Sequence, residues 1–521
     1  MALGVPACAL DDDTDALQGT DSGAVTADDA PAKLANEIDD RLDDGLAAID
    51  LDAENSTTQA AETSQLVTPV GAELDVRANE STVTVAAAVA PKSQGFYSIP
   101  YETGTEVRVT GDHLTHANVA NRIDMKGVSG GPYRIVAAAS GRVRFIEDSH
   151  NVNGGCANNN YVWIEHPNGE WTKYSHIAYH TASVSAGLSV GESVVAGQFL
   201  GIESDIGCAS GDHLHFEVGV PTDPRDPINP VGGYIKGTNR VPKVCGIEGQ
   251  LYVDGQTYVV PEVRPGFSEY ARHGLSDSAF QDVFDAAANC GYRLDWNDGF
   301  EVNGNPYYNV LFHPNTGPSV SWLSHRRLTE AQLDARIADY VDDRGYSLVH
   351  LDVYNVGSAI RYAAIFKKGA SIPATTTYYG VSAANHQTMF EALTAGGWRP
   401  RVVSATSVSG TRTYGAVYTL GSIGSYVLKS AQTSAEYQAN FDANAAAGRR
   451  LIYLNSYVHN NAPYYTAIWA SSAPSVYARH GMSSATYQSV WQSHVDTGWS
   501  TAAVTGSRAG GVTRYAAFWT K

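Results

Sequence analysis

The sequence predicts a mainly β domain followed by an α+β domain of five tandem repeats. Between residues 91 and 243, short apolar runs such as YRIVAAA, GRVRFI and NYVWIEH alternate with Gly, Asn and Pro turns, a pattern typical of β-strands. From about residue 267 to the end of the sequence, glycine and aromatic positions recur every 50 to 54 residues. A period of this length is the signature of a repeat architecture.

Three landmarks define each repeat. A glycine before a large residue recurs at Gly291, Gly345, Gly397, Gly448 and Gly498. Pairs four residues apart, which share one helix face, precede these glycines: Phe280/Phe284, Leu333/Ile337, His386/Phe390, Tyr437/Phe441 and Tyr487/Trp491. A tyrosine four residues before an aromatic follows: Tyr308/Phe312, Tyr362/Phe366, Tyr414/Tyr418, Tyr465/Trp469 and Tyr515/Trp519. Each unit therefore reads as strand, helix, strand, strand, and the five should stack or close around shared apolar faces.

Composition divides the remaining chain. Residues 1–62 hold 16 of the 54 acidic residues but only 2 of the 35 basic ones, so residues 1–90 read as an acidic leader and linker. Leu34, Ile38, Leu42 and Leu46 could line one helix face there, although a solvated spacer is the expectation. Residues 244–266 read as a connecting segment with an extended strand. The folded part has no basic face, which argues against nucleic-acid binding.

Membrane attachment has one candidate. No apolar run reaches the 18–20 residues or so of a transmembrane helix. The sequence VPAC before Cys8 resembles a bacterial lipobox, so Cys8 is a candidate lipid anchor whose charged and apolar leader would lie upstream; a chance cysteine in the leader is the alternative. The sequence does not predict an oligomeric state.

The four other cysteines lie in Gly-rich or turn contexts, and the sequence contains no CxxC. Cysteine zinc ribbons are therefore not expected. Two disulfides in an oxidising compartment would account for the four, and four buried thiols are the alternative.

The stretch GDHLHFEV places two histidines, His213 and His215, on one face of a predicted strand. Two imidazoles side by side suit a zinc site, where a ligand and a proton-transfer group must both reach one water. An HxH alone is more often a pair of core or hairpin histidines than a zinc site. The surrounding sequence must therefore distinguish the two. No HExxH, P-loop or GxSxG motif serves as a competing enzyme signature in this sequence.

The context is a series of five segments in order: RIDM, YRIVAAASGRVRFI, KYSHI, FLGIESDIGCA and SGDHLHFEV. This order resembles the LytM/lysostaphin family of zinc metallopeptidases, which includes the beta-lytic endopeptidases, over residues 110–220. The resemblance implies a compact antiparallel β fold with an open groove. The repeats resemble modules of polyglycine hydrolases, whose separate serine-hydrolase domain is not found in this sequence.

The resemblance also implies site residues. Asp124 and His215 match zinc ligands of the family. One zinc ion per chain is expected, with His116 as its third ligand and His113 as the alternative. His176 and His213 match the two catalytic histidines. The expected roles are general base for His213 and stabiliser of the tetrahedral oxyanion for His176.

Two disulfides follow from this reading. Cys156 and Cys208 precede segments that should border the groove, and a bridge between them would stiffen its walls. A Cys245–Cys290 bridge would tie the exit of the first domain to the first repeat helix.

The expected function is zinc-dependent hydrolysis of peptidoglycan peptides, at Gly-Gly or D-Ala-containing cross-links. The protein is expected to be secreted or attached to the cell envelope. The alternative is an inactive envelope-binding protein that uses the repeats as its functional surface.

Overall fold

The structure is a computed structural model that describes residues 9–10, 91–116, 121–315 and 320–521. The candidate anchor Cys8 and the apolar stripe at residues 34–46 lie outside the described residues. Of the leader, only the two-residue strand Ala9–Leu10 (β1) is described.

The first domain is built on one ten-stranded sheet and one separate strand pair. Its strands are Lys92–Tyr97 (β2), Glu106–Gly111 (β3), Arg122–Gly127 (β4), Arg134–Val136 (β5), Gly141–Glu147 (β6), Tyr161–Glu165 (β7), Trp171–Ser175 (β8), Ser193–Val194 (β9), Phe199–Ile202 (β10), Leu214–Pro221 (β11), Gly237–Val244 (β12) and Thr257–Val259 (β13).

The sheet runs β13–β3–β4–β11–β8–β7–β6–β9, with β12 on β11 and β2 on β12, while β5 pairs with β10. The predicted antiparallel sheet is confirmed, with one parallel pair between β2 and β12. Strand β11 lies at the centre, where both of its faces are covered. Leu214 and Phe216 are fully buried in the apolar core, and the alternating residues His215 and Glu217 are buried on the opposite face.

Residues 244–266 pack against the first domain. Strand β13 adds to the edge of the sheet by pairing with β3. Tyr252 and Val260 are buried in the core of that domain, and the Arg264 guanidinium donates to Thr103 Oγ1 at 3.0 Å. The extended strand expected in this segment is thus β13.

The second domain contains the five predicted repeats, each a three-stranded sheet with one helix. Its strands are Tyr270–Ser276 (β14), Tyr292–Val302 (β15), Asn305–Pro314 (β16), Ser321–Leu328 (β17), Ser347–Val356 (β18), Ala359–Lys368 (β19), Thr375–Val381 (β20), Trp398–Val408 (β21), Thr411–Leu420 (β22), Tyr426–Gln432 (β23), Arg450–His459 (β24), Ala462–Ala470 (β25), Val476–Met482 (β26), Ser500–Ala509 (β27) and Val512–Thr520 (β28).

The helices are Asp277–Asn289 (α1), Glu330–Ile337 (α2), Ala383–Ala395 (α3), Ser434–Ala446 (α4) and Ser484–Asp496 (α5). In every unit the third strand lies between the first and the second, and all three are antiparallel. Strand β1 pairs in parallel with β26 of the last unit. Within the described part of the chain, no helix has both the length and the apolar character that crossing a bilayer requires.

Local chemistry explains the repeat landmarks. All five landmark glycines have positive φ, between 68° and 86° across the set, where a side chain would be strained, and each lies between the helix and the second strand. The paired helix residues face the tyrosine strand; Phe280 packs edge-on against Tyr308 with ring centroids 5.0 Å apart. A Ser or Thr caps the N-terminus of every helix through its side chain, at Ser276, Thr329, Ser382, Thr433 and Ser483.

The five units close into a ring. The second strand of each unit contributes one buried polar residue at the same register position: Asp298, Asp352, Ser404, Asn455 and Thr505. Each of these side chains accepts a hydrogen bond from a backbone amide of a neighbouring unit, namely from Gly506, Gly299, Val353, Ala405 and Ser456 in the same order. The last unit is thereby joined to the first.

A second contact set closes the same ring. The Glu269 carboxylate of the first unit is buried and accepts hydrogen bonds from Trp491 Nε1 and the Thr501 amide of the fifth unit. His273 of the first unit bonds Ser484 Oγ at 2.8 Å, at the start of α5.

The two domains are covalently linked by the predicted Cys245–Cys290 disulfide, which is present. Around it, Phe96 of β2 packs so closely on Gly291 that a Cβ there would lie 2.7 Å from the ring. The Tyr292 hydroxyl donates to the Arg264 carbonyl at 2.8 Å. The repeat ring is therefore attached through β2 and the segment after β12.

The ring of repeats should respond to pH through Asp298. Burial, and then the nearby Asp352 carboxylate, raise the pKa of Asp298 well above its usual range, and burial raises the pKa of Asp352 to about 6. A carboxyl group with a raised pKa stabilises the fold fully below the unfolded pKa of about 4, and this stability is lost as the pH rises through the folded value.

Asp298→Asn should therefore raise the melting temperature by a few degrees at pH 7.5, and the gain should shrink towards pH 4.5. Asparagine imitates the protonated acid and can still accept from Gly506 and Asn309. Calorimetry across this range measures the difference, with exposed Asp442→Asn as the control. A shift that is the same at every pH would contradict this account of the ring.

Candidate metal centre

Three neighbouring strands bring the central residues of the site together. In the antiparallel register, His215 of β11 lies opposite Asp124 of β4 on one side and opposite Ser175 of β8 on the other. His176 follows Ser175 directly, and His213 precedes β11 and forms a bridge with Ser204. His116 lies in the loop after β3. All five residues predicted for the site therefore meet at one end of the sheet.

The three predicted ligands form a compact donor set. His116 Nε2 lies 3.2 Å from His215 Nδ1 and 3.4 Å from Asp124 Oδ2, and His215 Nδ1 lies 3.0 Å from Asp124 Oδ1. A tetrahedral zinc ion with bonds of about 2.0–2.1 Å holds its donors about 3.3 Å apart. Two imidazole nitrogens and one carboxylate also suit zinc chemically, so the residues present fit such an ion.

Two histidines, His116 and His113, are candidates for the third metal ligand. Among the described residues, His116 belongs to the group that could hold a metal with Asp124 and His215. His113 lies outside this group, and its buried Nδ1 has no hydrogen-bond partner. The loop geometry thus favours His116.

The other two histidines stand beside this donor set. The rings of His176 and His213 have centroids 4.7 Å apart, and the His176 ring lies 5.9 Å from that of His215. The Nδ1 atom of His176 is 3.0 Å from the Ile206 carbonyl, and that of His213 is 2.8 Å from the Gly211 carbonyl. Because a carbonyl can only accept, each neutral ring carries its proton on Nδ1 and leaves Nε2 free to exchange one.

The electrostatics of the site keep His176 neutral. Burial, with His215 and His213 nearby, lowers the pKa of His176 to about 3. Burial alone would also lower the pKa of His215, but hydrogen bonds to Asp124 and Glu217 raise it. Burial opposes ionisation of Asp124, yet hydrogen bonds from His116 and His215 hold its pKa below the usual range.

A disulfide fixes the wall that carries His176. The predicted Cys156–Cys208 bridge is present, next to Asn159 and Gly207. Gly207 has a φ of 119°, and a Cβ there would lie 2.6 Å from Asn159 Oδ1 and 3.0 Å from His176 Nδ1. His176 itself has a φ of 64°, a strained conformation for a residue with a side chain that the surrounding contacts must maintain.

Sequence reasoning missed the residue behind His215. Glu217 Oε1 lies 2.9 Å from His215 Nε2, and the Glu217 side chain is completely buried. Alternation along β11 could have indicated it, since residues 215 and 217 share a face. The cations that flank it, Lys173 of β8 and Arg122 of β4, come from strands distant in sequence, and no local pattern reveals them.

Comparison with known proteins assigns both parts of the chain. Residues 118–230 match peptidase family M23. Five segments match the polyglycine hydrolase-like structural repeat, at residues 268–315, 319–369, 372–419, 425–472 and 473–521. No curated protein matches the chain.

Solved structures with similarity include a peptidase of family M23 from Pseudomonas aeruginosa described as putative, at 20% identity over 24% of this chain and 49% of that chain, with a TM-score of 0.17. The chain thus spans about half the length of that protein. The catalytic domain of the antimicrobial peptidase lysostaphin from Staphylococcus simulans shows 22% identity over 28% of this chain and 85% of that chain, with a TM-score of 0.17.

A variant of the catalytic domain of the prophage-encoded M23 protein EnpA from Enterococcus faecalis shows 20% identity over 29% of this chain and 94% of that chain, with a TM-score of 0.18. The sequence match and the large antiparallel sheet agree on the assignment. The chain thus contains a peptidase family M23 domain at residues 118–230 and an array of five polyglycine hydrolase-like structural repeats between residues 268 and 521.

Proposed function

We propose that the protein is a zinc-dependent endopeptidase that hydrolyses peptide bonds of bacterial peptidoglycan, at Gly-Gly or D-Ala-containing cross-links. One observation carries the proposal: His116, Asp124 and His215 present donors 3.0–3.4 Å apart, with two further histidines beside them. His116, Asp124 and His215 would hold the zinc ion, which would supply a Lewis acid that activates water at neutral pH.

The two remaining histidines then move the protons. His213 is the proposed general base, since it is the more exposed of the pair and its Nε2 lies 3.7 Å from Asp124 Oδ1. His176 is the proposed partner of the tetrahedral oxyanion. Because burial keeps His176 neutral, this role requires that its Nε2 acquire a proton during turnover.

The repeat ring is proposed to position the peptidase domain on its polymer. The ring is attached near the hairpin turn that starts β8, where Gln94 and Gly95 of β2 donate to the Glu170 carboxylate. His176 lies six residues further on, at the other end of β8, about 20 Å away at about 3.3 Å per residue. The attachment point therefore lies away from the proposed groove.

The proposed location is outside the cytoplasm, secreted or attached to the envelope. Two disulfides in the described part of the chain fit an oxidising compartment. The lipid anchor at Cys8 stays a prediction.

Elemental analysis should find one zinc ion per chain. His116→Ala should lose most of the metal because two donors alone no longer close the site, whereas His113→Ala should keep it and serves as the matched control. Zinc retained by the first variant and lost by the second would reverse the choice of ligand. A wild-type protein that binds no zinc would support the alternative of an inactive envelope-binding protein.

His213→Ala and His176→Ala should each retain zinc and lose activity by about 10²–10⁴-fold, the usual range for a lost acid–base group. Release of cross-link peptides from purified peptidoglycan measures the loss. His180→Ala, on the turn after β8, is the control and should leave turnover unchanged. Near-normal turnover in His213→Ala would remove that residue from the mechanism.

Residues 91–266 with Cys245→Ser should match the full-length protein on a small soluble peptide and act more slowly on intact walls. The fragment includes β13 because Tyr252 and Val260 belong to the core of the domain. Equal rates on walls would exclude a targeting role for the ring. Loss of activity on both substrates would show instead that the ring supports the fold of the peptidase domain.

A further inference from the structure

Asp124, His215 and Ser175 lie side by side on three neighbouring strands and are called the ligand row here. A second row, of three charged residues, lies directly behind it. The register that places His215 opposite Asp124 and Ser175 places Glu217 opposite Arg122 of β4 and Lys173 of β8. Side chains two residues apart on a strand share a face and stand about 6.6 Å apart along it. The charged row therefore supports the ligand row from below.

The three members of this row are in contact, and two of them are shielded from water. Lys173 Nζ lies 3.6 Å from Glu217 Oε1, and Arg122 Nε lies 3.4 Å from Glu217 Oε2. Lys173 and Glu217 are completely buried. The Tyr234 ring covers the pair of cations, with its centroid 4.4 Å from the Arg122 guanidinium and 4.1 Å from Lys173 Nζ.

The carboxylate of this row determines how His215 can be used. Flanked by two cations, the Glu217 carboxylate acts as a hydrogen-bond acceptor, and Asn239 Nδ2 also donates to its Oε2 at 3.1 Å. His215 Nε2, at 2.9 Å from Oε1, must then be the donor. In the neutral imidazole, which is the form that binds a metal, the lone pair is then left on His215 Nδ1, the atom that faces Asp124 and His116.

Stability alone gives a weak reason for such a row. A buried ion pair or triad can often be replaced by apolar residues of similar volume with no loss of stability. The same domain also contains a buried carboxylate without this link: Glu170 accepts from the Gln94 and Gly95 amides and from the Tyr97 hydroxyl, at the other end of β8. The two carboxylates differ in that Glu217 contacts a proposed metal ligand.

We propose that Glu217, held between Lys173 and Arg122, is a positioning residue that fixes the ring orientation and tautomer of His215 and thereby sets the zinc affinity of the site. This inference rests on the proposed function, since it requires that His215 is a zinc ligand. Partners of this kind around metal sites typically change metal affinity by about 10–100-fold when they are removed.

Two substitutions at Glu217 separate the effect of its negative charge from the effect of its side-chain length. Glu217→Asp keeps the negative charge for Lys173 and Arg122, but the shorter side chain no longer reaches His215. Glu217→Gln keeps the length and removes the charge. Glu170→Gln is the matched control, because it alters a carboxylate of equal burial that has no contact with the site. All variants are made in the full-length chain.

The primary measurement is the zinc dissociation constant, from competition with a chromophoric chelator. The thermal midpoint of the metal-free protein reports the effect of each change on the fold. We expect Glu217→Asp and Glu217→Gln to weaken zinc binding at least about 10-fold. Glu170→Gln should lower the midpoint and leave zinc affinity within about twofold. The visible spectrum of the cobalt-substituted protein should change for the Glu217 variants alone.

Unchanged zinc affinity in Glu217→Asp would overturn the inference, even if Glu217→Gln fails to fold, because the aspartate variant retains the charge balance. An equal loss of affinity in Glu170→Gln would overturn it as well, since the effect would then come from general destabilisation. Failure of the wild-type protein to bind zinc would instead refute the proposed function, so the two failures are distinguishable.

Discussion

The register of β11 against β4 and β8 is the constraint on which the site depends. Because side chains alternate along a strand, a slip of one residue would turn His215 and Glu217 into the apolar core and bring Leu214 and Phe216 to the site. The register also sets the starting point of His176, which follows the residue opposite His215. Of the proposed ligands, His116 alone depends on a loop.

This arrangement concentrates polar groups on one face of a strand that is buried on both faces. The cost of burying them is offset by close pairing: His215 contacts Asp124 and Glu217, and Glu217 contacts two cations. The opposite face of the same strand supplies Leu214, Phe216 and Val218 to the core. One strand thus anchors the fold and organises the site.

The repeat ring follows a different principle, in which each unit contributes the same local parts. The helix stripe, the left-handed glycine and the paired aromatics are all readable within about 50 residues of sequence, so five units and their element order could be predicted. The Ser or Thr at each helix N-terminus is a further local signal of the same kind. Closure of the ring could not be predicted, because Gly506 and Asp298 are joined across more than 200 residues.

The residues of the site also divide into those that local sequence indicates and those that depend on tertiary structure. Asp124, His176, His213 and His215 could be proposed as site residues because they lie in short ordered segments, and the structure brings them together. The choice between His116 and His113 depended on loop geometry that spacing does not encode. Lys173, Glu217 and Arg122 were not identified, because their meeting is set by the pairing of three strands that are far apart in sequence.

The central claim is that this protein cuts peptide bonds of peptidoglycan with the help of zinc. Mass spectrometry of new amino termini, after digestion of walls with glycine bridges and walls with direct cross-links, tests it most directly. The account predicts new termini within cross-link peptides of at least one wall type, their disappearance when a chelator strips the protein, and their return with added zinc. New termini that persist in metal-free protein, or none from folded zinc-loaded protein on either wall, would contradict it.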